Sequence, residues 1–256
     1  MNMSRRSFVG VAMAAGASQL VPQAYAATAA PIRAVAFDGF VIFDPRPVVG
    51  FADRLVPGRG AELVEAWRTR QFEYTWLRTL SGRYVDFWRV TEDALRFAAA
   101  SRRIALTPEQ EQALMQAHLQ LPAWPDVRAG LESLRSAGLR LALLSNFSEA
   151  MLEANLRSAG LGEFFEARLS TDRVGAYKPD ARAYQMGVAS FGLPKEQIAF
   201  AAFGGWDAAG AKAFGYPTFW ANRANAPAEE LGISADAVGT TLADLARFVS
   251  RPSAGR

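Results

Sequence analysis

From Asp126 onward, short apolar runs alternate with helix-like segments that stop at glycine, and this alternation limits the possible folds more than any other feature of the 256-residue chain. "DVRAGLESLRSAG" is followed by "LRLALLS", "SEAMLEANLRSAG" by "EARLS", "ARAYQMGVASFG" by "IAFAAF" and "DAAGAKAFG" by "PTFWA", with a last helix near "LADLARFV". Strands that are apolar throughout, each separated from the next by one helix, predict an α/β fold: a doubly wound, Rossmann-like parallel sheet covered on both faces. An earlier run of the same kind, "IRAVAFD" at residues 32–38, supplies one more strand and ends in an aspartate.

Between that strand and the alternating part the periodicity changes. "AELVEAWRTRQFEYTWLRTL" has apolar residues at 63, 66, 67, 72, 74, 76, 77 and 80, close to a helical repeat. "TEDALRFAAASRR" and "TPEQEQALMQAHLQL" continue as helices, each expected to open at its threonine, Thr91 and Thr107. The predicted organisation is an α/β core from residues 32–45 and 121–250 with a helical cap, residues 46–120, inserted after the first strand. Half of the residues are hydrophobic and 21% charged, enough to bury a substantial core.

Residues 1–26, "MNMSRRSFVGVAMAAGASQLVPQAYA", combine the Arg5–Arg6 pair, an apolar Ala/Gly-rich stretch and a small-residue ending at Ala26. This resembles a twin-arginine export signal and predicts a periplasmic protein. The apolar run from Phe8 to Val21 is shorter than the roughly 20 residues that span a bilayer, so no stable membrane span is expected. Removal of residues 1–26 takes away two arginines and no acidic residue, leaving 26 basic against 25 acidic side chains. The basic balance is therefore no indication of a nucleic-acid partner. The absence of cysteine excludes disulfides, thiolate metal sites and a cysteine nucleophile. The single histidine, His118, is expected to be a partly exposed helix residue, with no second imidazole to build a zinc site.

In parallel sheets of this type ligands bind beyond the carboxyl ends of the strands. Four polar positions fall there in chain order: Asp38, the pair Ser145 and Asn146, Lys178 in "AYKPDARAY", and Asp207 after "IAFAAF". Any one of these would ordinarily be a cap or a turn residue; together they define a candidate site at one rim of one sheet.

The stretches "VAFDGFVIFD", "AWRTRQFEYTWLRTLSGRYVDFWRVTEDALRF", "LALLSNFS", "AYKPDARAY" and "FGGWDAAGAKAFGYPTFWANR" resemble the haloacid dehalogenase superfamily, and within it the type II, L-2-haloacid dehalogenases, over residues 32 to 245. The resemblance implies a hydrolase that acts on carbon–halide bonds and converts short-chain L-2-haloacids to D-2-hydroxy acids through an aspartyl ester. It assigns Asp38 as nucleophile, Lys178, Asp207 and Ser145 as catalytic partners, and Arg68, Asn146 and Tyr184 as substrate- and halide-binding groups. Phe40, Phe72, Phe87 and Trp206 match pocket positions. It implies a small-molecule 2-haloacid as partner, a homodimer, no cofactor and no metal. Metal independence also follows from side-chain type: the superfamily's magnesium phosphatases place acidic residues where this chain has Phe40 and Phe203.

The chain departs from the family at the site. "DGFVIFD" is one residue shorter than the family's first motif and lacks its threonine, and "FAAFGGWD" has Ala202 and Gly204 where a serine and an asparagine are usual. Those groups orient the nucleophile and the hydrolytic water, and Gly204 is expected to have a backbone that asparagine tolerates only partly. The departures support an alternative reading: an exported dehalogenase-like protein with impaired or lost catalysis, acting as a binding or structural protein.

Overall fold

The computed structural model describes residues 31–250, so the export-signal expectation for residues 1–26 lies outside the described residues. Six strands, β1 (Ala34–Phe37), β2 (Arg140–Ser145), β3 (Ala167–Ser170), β4 (Ile198–Ala202), β5 (Thr218–Ala221) and β6 (Ala237–Gly239), form one sheet in the order β3-β2-β1-β4-β5-β6. Every pairing is parallel. The last edge strand, β6, has no counterpart in the sequence reading. It has three residues in "AVG" and is only partly buried, so it lacks the apolar run that marks the others.

The chain moves outward from β1 to β2 and β3 and then returns to β4 on the other side of β1, which makes the β1/β4 junction the switch point where such sheets bind ligands. Side chains alternate across the sheet. Val35, Phe37, Leu141 and Leu143 enter one core, which is continuous with the helices that follow β1; Ala34, Ala36, Ala142, Leu144 and Phe200 enter a second core on the opposite face.

A short helix, α1 (Gly39–Ile42), follows β1, and four helices come next: α2 (Pro47–Leu55), α3 (Gly60–Leu80), α4 (Phe87–Ser101) and α5 (Pro108–Ala117). The covering helices are α6 (Val127–Ser136), α7 (Glu149–Ala159), α8 (Ala181–Phe191), α9 (Gly205–Phe214) and α10 (Leu242–Val249). Among the described residues no helix is long and apolar enough to cross a membrane.

The expected start of α5 is present as a full capping box, with Thr107 and Gln110 each closing on the other's backbone. The expected start of α4 at Thr91 is corrected. The helix begins at Phe87, capped by Asp86, whose side chain accepts from Arg89 N at 2.8 Å. Thr91 is instead fully buried, donating its hydroxyl to Phe87 O and accepting from Gln71 Nε2, both at 2.6 Å. His118 is also corrected. It is 8% exposed, packed edge-on against Trp67 at 4.6 Å, and burial draws its pKa down to about 4, so it is a neutral core residue.

Candidate active site

Asp38 sits one residue past β1 and serves as the N-cap of α1. Its Oδ2 accepts from Phe40 N at 3.0 Å and its Oδ1 accepts from Lys178 Nζ at 2.7 Å, so both oxygens are pinned. The same ammonium donates to Asp207 Oδ2 at 2.7 Å. Asp207, in the first turn of α9 at the end of β4, accepts on Oδ1 from Tyr184 Oη at 2.7 Å. Lys178 therefore bridges two carboxylates delivered by adjacent strands at the switch point.

The electrostatics follow from burial. Lys178 is 1% exposed, which by itself would drive its proton off, but Asp207 and Asp38 outweigh that cost and its pKa is raised. Asp207 is equally buried. Desolvation pushes its carboxyl up to about 6, with Lys178 opposing the rise and Asp38 adding to it. Tyr184 is raised well above its ordinary value by burial and then by Asp207, and so stays a donor. A buried ammonium thus stands between the two carboxylates, 2.7 Å from an oxygen of each.

A cavity of about 20 Å³ opens over Asp38 and Asp207. Ser145 and Asn146 reach it from the end of β2, Arg68 and Phe72 from α3, and Phe87 from the start of α4. Phe40, Phe203, Gly204 and Trp206 complete the wall with Phe147. Ser145 Oγ accepts from Phe147 N at 3.1 Å, and Gly39 is small for its sake: a Cβ there would lie 2.8 Å from that oxygen. Asn146 Oδ1 accepts from Lys178 N at 3.1 Å, while its buried Nδ2 has no acceptor among the described residues. Arg68 is exposed along much of its length, yet its guanidinium faces the cavity over the Phe203 ring, 5.7 Å from the centroid. It makes no ion pair among the described residues, and partial burial lowers its pKa without removing its charge.

Ten of the eleven residues singled out from the sequence thus meet at or beside one cavity, with Lys178 immediately behind its floor. Tyr184 is the exception. It is fully buried beneath Asp207, between that carboxylate and the Tyr216 hydroxyl that donates to its carbonyl, and does not face the cavity. Its place is that of a positioning group for Asp207 rather than a contact for substrate. Phe203 and Phe147 were not singled out as pocket residues. Phe203 could have been found from its place, one residue past the end of β4, because side chains there project over the rim.

The arrangement offers a carboxylate fixed beside a permanent cation, two further charges of opposite sign, and an aromatic wall that excludes bulk water. Such a set suits nucleophilic displacement of an anionic leaving group from a small anionic substrate.

Comparison with known proteins agrees with this chemistry. The model for haloacid dehalogenase-like hydrolases matches residues 32–215. The (S)-2-haloacid dehalogenase of Pseudomonas sp. strain YL is 42% identical over 82% of this chain and 91% of that enzyme. A solved L-2-haloacid dehalogenase superposes with a TM-score of 0.85 at 41% identity, covering 87% of this chain and all of the other. The L-2-haloacid dehalogenase of Xanthobacter autotrophicus with chloropropionic acid covalently bound matches with a TM-score of 0.79 at 32% identity, over 85% of this chain and 98% of that one. The chain belongs to the haloacid dehalogenase-like hydrolases, on the branch of the (S)-2-haloacid dehalogenases.

Proposed function

We propose that the protein hydrolyses short-chain L-2-haloacids to D-2-hydroxy acids by way of an ester on Asp38, and that it does so outside the cytoplasm. The observation that carries the reading is the Asp38 carboxylate held at 2.7 Å by the Lys178 ammonium, on the floor of a cavity whose roof carries the Arg68 guanidinium, which makes no ion pair among the described residues. One Asp38 oxygen attacks the carbon bearing the halogen from the side opposite the halide, and the carbon–halogen bond breaks as the carbon–oxygen bond forms. Inversion at that carbon gives the D product. The halide leaves with the bonding pair toward Arg68 and Asn146 Nδ2, cavity donors that have no acceptor among the described residues.

Carboxylate is a weak nucleophile in water because it is strongly solvated. Here Phe40, Phe72, Phe87, Phe203 and Trp206 replace most of that shell, and Lys178 keeps the charge in place. The ester is then cleaved by water, which restores Asp38 and releases the hydroxy acid. Arg68, Lys178 and the cavity donors also give an anionic substrate carboxylate its counter-charges.

Halide release from a panel of L- and D-2-haloacids, with and without chelator, tests the reading. L-2-chloropropionate is expected to release chloride at the same rate in both conditions, and the D isomer is not. A single turnover in oxygen-18 water is expected to leave label in the peptide containing Asp38. Absence of halide release from every 2-haloacid would favour a binding or structural protein, and dependence on magnesium would revive a phosphatase-like mechanism.

A further inference from the structure

We infer that Trp206 positions the hydrolytic water through its indole N–H, in place of the hydrogen-bonding side chains that this chain lacks at 202 and 204; the inference rests on the ester mechanism above. Four observations converge on it. The cavity over Asp38 and Asp207 is small and walled mainly by aromatic rings, and a water held there needs two to four polar partners. Acceptors are present: each carboxylate oxygen of Asp38 and Asp207 has a donor but retains a free lone pair. On the α9 side of the cavity, however, Ala202 and Gly204 offer no side-chain donor and Phe203 is apolar.

Trp206 fills that gap. Its ring lines the cavity and is braced from the cap side by Phe72 at 5.3 Å and Trp76 at 5.4 Å. Its Nε1 donates to no acceptor among the described residues and is not sealed from solvent, so it is free to bond a water. That nitrogen lies 2.7 Å from where a Cβ on Gly204 would stand. The backbone of Gly204 is extended, φ −85° and ψ 142°, which any residue can adopt. The sequence expectation of a conformation special to glycine is thereby corrected: Gly204 is needed for space, and the space is occupied by the indole. Gly204 and Trp206 form a matched pair, one giving up a side-chain donor and the other supplying an N–H over the vacated position.

The water accepts the indole N–H on one lone pair and presents the other to Cγ of the Asp38 ester, while donating a hydrogen toward Asp207. Its oxygen bonds to Cγ as that proton passes to Asp207. The tetrahedral centre then collapses, the bond from Cγ to the ester oxygen breaks, and the departing oxygen takes the proton from Asp207. The 2-hydroxy acid leaves, and Asp38 returns to its carboxylate as a proton is lost to solvent.

Trp206→Phe keeps the ring and removes the N–H. With L-2-chloropropionate, decay of the ester, followed by intact mass, is expected to slow about 10- to 100-fold and by a clearly larger factor than the first-turnover halide release that reports alkylation, to which the ring contributes as part of the cavity wall. Gly204→Asn alone is expected to slow ester decay, because its side chain collides with the indole, but to speed it in the Trp206→Phe background, where an amide donor can enter. That reversal of sign is a readout that simple packing would not give. Equal losses of alkylation and ester decay in Trp206→Phe, an unchanged ester decay, or a Gly204→Asn change that slows both backgrounds would each overturn the inference. If wild-type enzyme places no oxygen-18 in the Asp38 peptide, the ester mechanism itself falls; label there together with an indifferent Trp206→Phe would sink only the role of the indole.

Discussion

Lys178 and Arg68 both bring positive charge to one cavity but differ in what they hold, and their variants should separate accordingly. Lys178→Ala leaves two buried carboxylates facing each other without their shared cation, so it should cost about 3 kcal/mol of stability as well as activity. The sequence alone suggests that turnover would suffer far more than stability; the double ion pair argues that both will fall. Lys178→Arg should not restore the rate, because the larger planar guanidinium does not fit the buried space that a compact ammonium fills beside the Phe200 ring, 5.2 Å from it. Arg68→Ala, by contrast, removes no ion pair among the described residues, so the melting temperature should hardly move while kcat/KM for L-2-chloropropionate falls by about 10²- to 10³-fold. A near wild-type rate would take Arg68 out of halide and substrate binding. Asp207 adds a pH signature. Its carboxyl is near 3.8 when unfolded and about 6 when folded, so between those values only the folded chain holds the proton. Its contribution to stability is therefore fully present below 3.8 and is lost as the pH rises through 6. Catalysis runs the other way: the ionised form must take the proton of water, so ester hydrolysis should climb about tenfold per pH unit below 6 and level above it. Because Asp207 shares Lys178 with Asp38, the limb belongs to the pair. A flat rate from pH 5 to 8 would show that Asp207 is not the base.

At the scale of elements, one carboxylate ties three segments together. Asp126 precedes α6, accepts two hydrogen bonds from Arg223 in the loop after β5, at 2.8 and 3.1 Å, and accepts from Leu242 N at the start of α10 at 2.7 Å. Burial alone would raise its pKa, but Arg223 and the backbone N–H hold it below its ordinary value. The stability it adds is present above 3.8 and lost as the pH falls through that lowered value. Asp126→Ala takes the carboxylate from a guanidinium whose side chain is 5% exposed, leaving it only the Thr240 and Val41 carbonyls, and should cost about 3 kcal/mol at neutral pH by denaturant unfolding. A loss within about 0.5 kcal/mol, the range of ordinary surface changes, would mean that the pair is dispensable. Nothing in the sequence pattern pairs residues 126 and 223, since such contacts depend on how the sheet closes. What was legible follows the same logic. The apolar strands, the glycine stops and the Thr107 cap are local signals and can be read directly. Thr91 misled because threonine before acidic residues looks like a cap until tertiary packing buries it against Gln71. Asp38, Ser145, Asn146 and Asp207 were legible because they stand at or just past the ends of apolar strands, whereas Lys178, in the loop beyond β3, and Arg68, on α3, were legible from their motifs. Tyr184 was misplaced because the motif gives its neighbourhood but not its side-chain direction, and the pairing of Gly204 with Trp206 is a matter of ring orientation that no spacing encodes.

For the whole molecule, the order in which the sheet can assemble bears on how the protein reaches its place of work. β1 lies near the start of the described chain, yet its partners are Arg140–Leu143 on one side and Ile198–Ala201 on the other, and the helices α2 to α5 intervene. The central strand cannot be enclosed until most of the chain has been made, and non-local pairing of this kind is slow. A chain destined for export must then either be kept unfolded throughout or be carried across after folding. The Arg5–Arg6 pair, the short apolar stretch after it and the "AYA" ending at Ala26 argue for the second route, the one used by proteins that fold before export. The absence of cysteine removes any need for an oxidising compartment to complete the fold. Replacing both Arg5 and Arg6 by lysine keeps the charge and should abolish recognition, so that active enzyme accumulates inside the cell and the periplasmic fraction loses halide-releasing activity. Fractionation followed by mass spectrometry of the mature N-terminus checks both the compartment and cleavage after Ala26. Equal periplasmic amounts before and after the double substitution would place the protein on another route, and an uncleaved N-terminus in the cytoplasm of wild-type cells would end the export proposal.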